Sequence, residues 1–309
     1  MTNETKYDVI IIGGGPAGLS AGIYASRSRL RTLLIEKEMI GGNIVYAELV
    51  ENYPGFPDGI SGMDLTQAMH NQATKFGMDT RMTEITGIDV AGREKLVKTG
   101  DGDFSSRALI IAGGSTRQLL GSPGEKELTG RGVSYCATCD AAFFTDQPVA
   151  VIGGGNAAIQ EAVHLTRFAS EVTLVHRRSE LRATRIEQER AFSQPKIKFA
   201  WNSTVAAIEG KDTVEALRLK NVQTGAESTL TVKGVFVAIG FTPNTAYLKG
   251  VVSLDEAGQV VANDKMETNV PGVYAAGDIR SGSLRQVVMA CSDGASAAMN
   301  ADKYLEHKT

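Results

Sequence analysis

The chain of 309 residues lacks long hydrophobic runs, a strong net charge and a large set of cysteines. Every apolar stretch is interrupted before the roughly 18 residues that a membrane-spanning helix requires, so we expect no membrane association. A net charge of -3 argues against the basic surface of a nucleic-acid-binding protein. The apolar residues 9–12 follow no basic segment and precede no small-residue cleavage site, which argues against export. Three cysteines, an odd number, argue against a framework of structural disulfides and favour a reducing cytoplasm.

What the chain does contain is an internal repeat. Its length predicts roughly two domains, and residues 11–38 align without gaps on residues 151–178, at an offset of 140. Each copy consists of a β-rich apolar run, a glycine-rich turn, a helix with apolar residues at three- and four-residue spacing, and a second β-rich run. This is the pattern of a βαβ unit, and the repeat predicts an α/β protein with two nucleotide-binding units.

In the first copy, three glycines form the pattern G-x-G-x-x-G, namely Gly13, Gly15 and Gly18. Such glycines permit a tight turn, a close approach of the backbone to a pyrophosphate, and close packing of the helix on the strand. The helix N-terminus then faces the phosphates with unpaired N–H groups. Glu36 lies 23 residues after Gly13, close to the spacing at which an acid accepts hydrogen bonds from ribose hydroxyls. The first copy therefore predicts a site for a nucleotide with a free ribose.

The second copy has the same kind of turn but the opposite charge at its end. Its turn contains Gly153, Gly155 and Ala158. The position that corresponds to Glu36 holds His176, and three arginines follow it: Arg177, Arg178 and Arg182. A cationic cluster at this place is what a ribose 2′-phosphate requires, because guanidinium groups bind phosphate through paired, charge-assisted hydrogen bonds. The second copy therefore predicts an NADP(H) site.

The segments after the second copy complete the expected organisation. Residues 229–240 predict a strand, 241–244 a turn, 273–280 a short strand ending near Gly277 and Asp278, and about 284–304 a helix. We expect linkers near 115–124 and 241–249. The second nucleotide-binding unit would then be inserted into the first.

Cys136 and Cys139 are separated by one helical turn, which allows the Cα–Cα distance of a disulfide. If a helix starts here, its free N–H groups and dipole stabilise a thiolate at neutral pH. Asp140 follows directly and is a candidate for the proton transfer that disulfide reduction needs, although an acid in a first helical turn is also ordinary. The pair is therefore a candidate redox dithiol.

Two other interpretations of the cysteines are less favoured. A zinc site needs a second pair of ligands, and only Cys291 and four scattered histidines remain, so we expect no metal. Cys291 lies in an apolar helical segment, where a small buried hydrophobic residue is the more common role than a third redox thiol.

Taken in order, these motifs resemble the low-molecular-weight thioredoxin reductases over essentially the whole chain. The matching segments are GGGPAG at 13–18, GG at 41–42, ENYPGFP at 51–57, CATCD at 136–140, GGGNAA at 153–158, HRRSELRA at 176–183, GD at 277–278 and RQV at 285–287. The position of the dithiol just ahead of the second nucleotide motif makes the resemblance specific. The chain departs from the usual pattern at Asn43, at 44–49, at 112–115 and at Ala141.

The resemblance implies two Rossmann-like, three-layer α/β domains, with an NADPH domain inserted into an FAD domain. The FAD domain would comprise residues 1–116 and 246–309, and the NADPH domain residues 117–245. FAD-binding residues would be Gly13, Gly15, Pro16, Ala17, Gly18, Glu36, Lys37, Gly41, Gly42, Asn52, Ala112, Gly113, Gly277, Asp278, Arg285, Gln286 and Val287. NADPH-binding residues would be Gly153, Gly155, Asn156, Ala157, Ala158, His176, Arg177, Arg178, Arg182, Ile239 and Gly240.

The resemblance also implies a reaction and partners. Electrons would pass from NADPH to FAD, then to the Cys136–Cys139 disulfide, and then to thioredoxin or a thioredoxin-like small redox protein. Cys139 would face the flavin, Cys136 would exchange with the substrate disulfide, and Asp140 would be the acid. The family is homodimeric and alternates two domain arrangements. Two alternatives remain open: a reductase of another small redox protein or disulfide, such as a glutaredoxin-like or peroxidase partner, and a redox-sensing flavoprotein.

Overall fold

A computed structural model of the chain describes residues 5–47 and 49–306. The chain forms two compact units: unit 1 takes the chain up to Thr116 and from Thr242 onward, and unit 2 is Arg117–Phe241. Unit 2 is thus an insertion in the sequence of unit 1. The chain returns from unit 2 to unit 1 at Thr242, ahead of the expected boundary after residue 245. Asn244 already belongs to unit 1, because it forms hydrogen bonds with the Gly113 and Gly114 carbonyls and with Thr116.

The secondary structure comprises seventeen strands and six α-helices in the described residues. The strands are β1 (Lys6–Ile12), β2 (Thr32–Glu36), β3 (Asp79–Met82), β4 (Ile85–Asp89), β5 (Lys95–Thr99), β6 (Gly102–Ile111), β7 (Ser115–Arg117), β8 (Val133–Ser134), β9 (Pro148–Ile152), β10 (Glu171–Val175), β11 (Ile197–Ala200), β12 (Ser203–Glu209), β13 (Ala216–Asn221), β14 (Glu227–Thr231), β15 (Gly234–Val237), β16 (Phe241–Pro243) and β17 (Val273–Ala275). The helices are α1 (Pro16–Arg27), α2 (Gly62–Lys75), α3 (Ala137–Asp140), α4 (Asn156–Leu165), α5 (Arg185–Phe192) and α6 (Val287–Glu306). Short 3₁₀ turns occupy Gly42–Tyr46, Ala141–Phe144, Ala246–Leu248 and Gly277–Ile279.

Unit 1 is built around a sheet of order β3-β2-β1-β6-β5-β4, in which β17 also pairs with β6. The strands β3, β2, β1, β6 and β17 are parallel, whereas β5 and β4 are antiparallel. One face of this sheet packs on α1, α2 and α6, and the other face on an apolar layer from residues 248–279. Burial on both faces explains why β1 reads as a continuous apolar run rather than an alternating one.

Unit 2 also has three layers, but its third layer is an antiparallel sheet. Its parallel sheet has the order β11-β10-β9-β15-β8. One face packs on α3, α4 and α5, and the other on the antiparallel sheet β12-β13-β14. The carboxyl ends of β9, β10 and β15 share one edge, which is where ligands bind in sheets of this kind. The fold class expected from the repeat is therefore confirmed.

Four local predictions were wrong in detail. The expected strand 229–240 is two strands of different sheets, β14 and β15, because Val232 N–H donates to Glu215 while Lys233 N–H donates to Pro148. The expected turn 241–244 is largely strand β16, which pairs with β7. The strand expected over 273–280 ends at Ala275. The last helix begins at Val287 rather than near 284, because Arg285 has a φ of +54°, which no α-helix accommodates.

Within the described ranges, no helix is both long enough and apolar enough to cross a membrane. Glu48, in the divergent segment 44–49, lies outside the described residues.

Candidate active site

The first glycine turn lies between β1 and α1 in unit 1. Gly13 has a φ of +105°, and a Cβ atom on it would collide with the Ala112 carbonyl. A Cβ atom on Gly18 would likewise collide with the Gly13 carbonyl. At Gly15, by contrast, the nearest atom to such a Cβ is the Gly41 carbonyl oxygen at 4.0 Å. The turn is therefore closed where the helix packs on the strand and open where a phosphate would approach.

Glu36, at the end of β2, is held by three backbone N–H groups. Its carboxylate accepts hydrogen bonds from Gly14 at 2.7 Å, Lys37 at 2.8 Å and Glu38 at 3.0 Å. A carboxylate has about four acceptor positions, so capacity remains for a ribose hydroxyl. The Lys37 ammonium itself forms an exposed ion pair with Glu38. The backbone of Gly41 donates to the Gly14 carbonyl at 2.8 Å, which packs the second glycine pair on the first turn.

Ala112 and Gly113 follow β6 at the same edge of the sheet. Ala112 N–H donates to the Ile12 carbonyl at 2.7 Å, and Gly113 accepts from the Asn244 side chain at 2.8 Å. A Cβ atom on Gly113 would lie 3.1 Å from the Tyr247 hydroxyl. That hydroxyl is buried and has no hydrogen-bond partner among the described residues. Burial and then the Glu36 charge raise the pKa of Tyr247, so the group is a neutral donor.

Gly277 and Asp278 form a 3₁₀ turn that is anchored on α6 by an ion pair. Asp293 accepts from Arg280 Nε at 2.6 Å and Nη2 at 3.0 Å, and also from Gly277 N–H at 3.1 Å. The Asp293 side chain is only 7% exposed. Burial raises the pKa of Asp278, although Ser283 donates to its carboxylate at 3.0 Å. The ion pair thus fixes a turn that carries two expected flavin ligands.

The remaining expected flavin ligands lie near the N-terminus of α6. Asn52 donates to the Gln286 side chain at 3.2 Å, which brings two sequence-distant candidates together. Arg285 is exposed, and Val287 begins the helix. Pro16 and Ala17 are the first two residues of α1. Asn43, at a divergent position, donates to the Ser115 carbonyl at 2.7 Å.

The second glycine turn lies between β9 and α4 in unit 2. A Cβ atom on Gly153 would lie 2.5 Å from the Ala238 carbonyl and 2.7 Å from the Ala158 methyl group, while no atom lies within 4 Å of one on Gly155. Asn156 and Ala157 begin α4 and are exposed. Ile239 and Gly240 follow β15, which pairs with β9. All the expected NADPH ligands on these loops therefore lie at one edge of the sheet.

Of the three arginines at this edge, Arg182 is bonded to the turn through its backbone. The N–H groups of Arg182 and Ala183 both donate to the Gly154 carbonyl, at 2.7 and 3.2 Å, and Thr184 N–H donates to the Asn156 side chain at 2.8 Å. The side chains of Arg177, Arg178 and Arg182 are exposed. They provide positive charge beside the glycine turn, as the sequence predicted.

His176 behaves differently from these arginines. Its imidazole is buried against Gly154, where a Cβ atom would collide with the ring. Burial, and then the charge of Arg182, lower the pKa of His176, so the ring is neutral at physiological pH. His176 Nε2 has no partner in the described part of the chain. The cationic character of this site therefore comes from the arginines and not from the histidine.

Cys136 and Cys139 form a disulfide with a Cα–Cα distance of 5.3 Å. Cys136 caps α3, and its carbonyl accepts the N–H groups of Cys139 and Asp140, both at 3.1 Å. The helix expected at the dithiol is present, but it is a single turn that continues as a 3₁₀ turn. Its dipole is correspondingly small, so a low thiol pKa cannot rest on a long helix here.

Asp140 lies beside the dithiol in a largely buried position. Burial raises the pKa of its carboxyl group, while a hydrogen bond from Ser134 and the charge of Arg117 oppose the shift. A raised pKa is what a general acid near neutral pH needs. The Arg117 guanidinium lies 4.4 Å from the ring centre of Tyr135, whose hydroxyl donates to the buried Glu125 at 3.0 Å.

The third cysteine does not belong to this group. Cys291 lies on α6 in unit 1, where burial raises the pKa of its thiol, and the Tyr53 hydroxyl lies 3.7 Å from its sulfur. It packs against the α1–α6 core, which is the role of a small apolar residue. In the part of the chain that the structure describes, no three His, Cys, Asp or Glu residues converge as metal ligands would.

Sequence reasoning missed several residues that shape these sites: Ser134, Arg117, Tyr247, Arg280 and Asp293. Each acts through a partner that is remote in sequence or out of helical or strand register, and a single sequence carries no signal for such pairs.

Both glycine turns keep open space at their middle glycine, and each is flanked by groups of the charge its nucleotide needs. The residues present therefore fit FAD at the first turn and NADPH at the second.

The chain is similar to known proteins over almost its whole length. The family model for pyridine nucleotide-disulphide oxidoreductases matches residues 7–294. The chain is 47% identical to a thioredoxin reductase of Peptoclostridium acidaminophilum, with 98% of each chain covered. It is 48% identical to a thioredoxin reductase of Bacillus subtilis (strain 168), over 99% of this chain and 97% of the relative. The crystal structure of thioredoxin reductase from Streptococcus pyogenes MGAS5005 superposes with a TM-score of 0.95 at 42% identity, covering 98% of this chain and 99% of that one.

Proposed function

Because the chain belongs to the pyridine nucleotide-disulphide oxidoreductase family, we propose that it is an NADPH-dependent, FAD-containing thioredoxin reductase. The observation that carries the proposal is the Cys136–Cys139 disulfide, which adjoins the partly buried acid Asp140 in the same unit as the arginine-flanked turn. The full-length relatives at 47–48% identity supply thioredoxin as the substrate. When bound, FAD supplies a two-electron relay between NADPH and a disulfide.

In unit 1, the protein binds and orients the flavin nucleotide. The open first turn receives the pyrophosphate at the N-terminus of α1, and Glu36 accepts a ribose hydroxyl. The Arg280–Asp293 ion pair fixes the turn of Gly277 and Asp278, which would contribute to holding the cofactor. The residues assigned to this site are the seventeen expected from the sequence, with Tyr247 added as a neutral donor.

In unit 2, the protein selects the phosphorylated nicotinamide nucleotide. The second turn receives the pyrophosphate at the N-terminus of α4. Arg177, Arg178 and Arg182 would hold the 2′-phosphate through charge-assisted hydrogen bonds, while the neutral His176 ring packs against Gly154. The assigned residues are again those expected from the sequence, and the neutral His176 contributes packing rather than charge.

The dithiol then carries two electrons to the partner. Reduction breaks the Cys136–Cys139 bond, and Asp140 in its acid form gives a proton to the thiolate that leaves. The Cys136 thiolate attacks the partner disulfide, and Cys139 resolves the mixed disulfide, which regenerates the intramolecular bond and releases a reduced partner. The partner is thioredoxin or a thioredoxin-like protein, and the enzyme acts as a cytoplasmic homodimer.

The test is steady-state oxidation of NADPH by the FAD-loaded enzyme with excess oxidised thioredoxin. We expect sustained turnover, since each cycle regenerates the disulfide. A redox sensor would stop after about one equivalent of NADPH, and a reductase for another partner would turn over with a glutaredoxin-like or peroxidase substrate instead.

Cys139→Ser provides the mechanistic control. This variant lacks the resolving thiol, so NADPH should still bleach the flavin absorbance while thioredoxin reduction is lost. Continued turnover of thioredoxin by the serine variant would refute the dithiol relay.

A further inference from the structure

Ser134 connects the acid to the dithiol. It is the last residue of β8, and its side chain is only 5% exposed. Its hydroxyl donates to Asp140 Oδ2 at 2.6 Å and accepts the N–H of Cys136 at 3.1 Å. A serine hydroxyl has one donor, and the carboxyl group of Asp140 is a much closer acceptor for it than the Cys136 carbonyl at 3.5 Å.

We infer that Ser134 is a positioning residue for disulfide reduction, whose hydroxyl holds the Asp140 carboxyl group against the backbone of Cys136. This inference rests on the proposed function, because it gives the dithiol and Asp140 the roles assigned there. The hydrogen bonds of the Ser134 hydroxyl reach neither sulfur, so Ser134 acts through Asp140.

The local structure needs such a tie. The acid sits at the end of α3, a single helical turn whose backbone bonds run from Cys139 and Asp140 to the Cys136 carbonyl. One isolated turn is marginally stable, because its few hydrogen bonds do not offset the loss of backbone freedom. Ser134 belongs to β8, which pairs with β15 through Phe236. The hydroxyl therefore fastens the acid to the sheet rather than to the turn alone.

The same bond assigns the two carboxyl oxygens. Since Oδ2 accepts from Ser134, the transferable proton resides on Oδ1 when Asp140 is in its acid form. Two electrons break the S–S bond, and the Oδ1 proton moves to the departing thiolate, which leaves one thiol and one thiolate. The resulting Asp140 carboxylate keeps the Ser134 hydrogen bond, and a proton from solvent restores the acid before the next cycle.

Arg117, at the end of β7, is the charged side chain that acts on Asp140. Its guanidinium group lies over the Tyr135 ring. The carboxylate of Glu125 accepts hydrogen bonds from the Tyr135 hydroxyl and from the N–H groups of Leu120 and Gly121. Arg117 and Ser134 both favour the ionised form of Asp140, and burial favours the acid form. Removal of the serine hydroxyl should therefore raise the pKa of Asp140.

The experiment measures reduction of the internal disulfide, without any protein partner. FAD-loaded wild type and Ser134→Ala are mixed anaerobically with NADPH, quenched with an alkylating agent and assayed for new thiols. The series covers roughly pH 6 to 10 in steps of about half a pH unit. We expect the rate of disulfide reduction at neutral pH to fall roughly tenfold in the variant. The reason is that the Asp140 carboxylate formed by proton transfer loses the hydrogen bond from Ser134. We also expect the alkaline limb of the profile to move to higher pH. The bleaching of the flavin by NADPH should keep its wild-type rate.

A second arm separates positioning from folding. Ser134→Thr and Ser134→Val have the same shape and differ in the hydroxyl, so the threonine variant should retain the wild-type pH profile and the valine variant should behave as alanine. Ser122→Ala removes a hydroxyl that donates to Val205 at 2.9 Å, and it should leave the profile unchanged. In an Asp140→Asn background, Ser134→Ala should have no further effect on the rate.

The inference is overturned if Ser134→Ala keeps the wild-type rate and profile, or if it slows the Asp140→Asn enzyme by the same factor. It is equally overturned if threonine and valine behave alike. Failure of the wild type to reduce thioredoxin would instead count against the proposed function, because the internal reduction is measured without thioredoxin.

Discussion

Glu36 and His176 occupy equivalent positions in the two copies of the βαβ unit, yet their side chains meet the preceding glycine turn in opposite ways. Glu36 accepts the N–H of Gly14 at 2.7 Å, whereas the His176 ring is packed against Gly154 and its Nε2 has no partner within residues 5–47 and 49–306. The first site thus offers a fixed negative charge to a ribose. The second offers a neutral surface beneath three exposed arginines.

Replacement of Arg177 and Arg178 by alanine should weaken NADPH binding selectively. Each lost charge-assisted hydrogen bond is worth about 1.5 to 3 kcal/mol, so we expect the KM for NADPH to rise roughly 10- to 100-fold or more. The KM for NADH should change little, because NADH lacks the 2′-phosphate. Steady-state kinetics with both nucleotides check this. Arg218→Ala, in an exposed ion pair with Glu209, is the control, and equal effects on both nucleotides would contradict the assignment.

Tyr247→Phe should have opposite effects on the apoprotein and the FAD-loaded protein. The hydroxyl is buried without a protein partner among the residues described, so its removal should stabilise the apoprotein by about 1 kcal/mol or more. If the hydroxyl donates to the bound flavin nucleotide, the same change should lower FAD affinity. Thermal unfolding of both forms and fluorescence titration of FAD measure the two effects.

Tyr274→Phe is the matched control for that experiment. Its buried hydroxyl donates to the Asn300 carbonyl at 3.1 Å, so the substitution should destabilise the apoprotein and the loaded protein alike. A Tyr247→Phe protein with unchanged FAD affinity would remove Tyr247 from the flavin site.

The ion pair between Arg280 and Asp293 should contribute strongly to the stability of unit 1. Asp293→Ala leaves a largely buried guanidinium and the Gly277 N–H without their acceptor, at a cost of about 3 kcal/mol in the free energy of unfolding. The double variant Arg280→Met/Asp293→Ala should lose less than the sum of the single variants. A urea double-mutant cycle checks this. The exposed Lys6–Glu94 pair should show a coupling below about 1 kcal/mol in the same assay, and an equally small coupling for the buried pair would count against its role.

Asp140→Asn should raise stability at neutral pH while it slows disulfide reduction. Because burial raises the pKa of Asp140 in the folded protein, the folded state binds its proton more tightly than the unfolded state. The wild type therefore keeps its full stability below the unfolded pKa and loses part of it as the pH rises through the folded pKa. Asparagine does not ionise, so its advantage in melting temperature should grow as the pH rises from below the unfolded pKa of Asp140 through its raised folded pKa. An advantage independent of pH would show that ionisation of Asp140 carries no cost.

The local motifs of both sites were predictable because each is a spacing along the chain. Glycines that avoid collisions with neighbouring backbone, as at Gly13 and Gly18, leave a sequence signature whatever the rest of the fold does. The acid that ends β2 and the arginines that follow β10 stand near strand ends, where the alternation of apolar runs and turns fixes their place. The cysteine spacing predicted a disulfide, and the structure contains it.

Other features were wrong or absent in the sequence prediction because they depend on partners elsewhere. The run 229–240 has strand character throughout, but its two halves bond to different sheets, and hydrophobicity does not encode that choice. The helix after residue 284 begins late because Arg285 has a positive φ, which its residue type does not reveal. The sequence places His176 among the arginines, but its burial and neutrality depend on the packing of the ring against Gly154.

A two-nucleotide α/β protein with a redox dithiol is predictable from local features alone, because the repeat, the turn chemistry and the cysteine spacing are all written along the chain. The surroundings of the dithiol depend instead on how distant segments pack. Packing brings the hydroxyl of Ser134 to Asp140 and the charge of Arg117 near that acid. In unit 1 it likewise brings Asp293 to the Gly277 N–H. Those contacts arise when strands and helices pack, and burial then sets the protonation of the acid, which no spacing along the chain specifies.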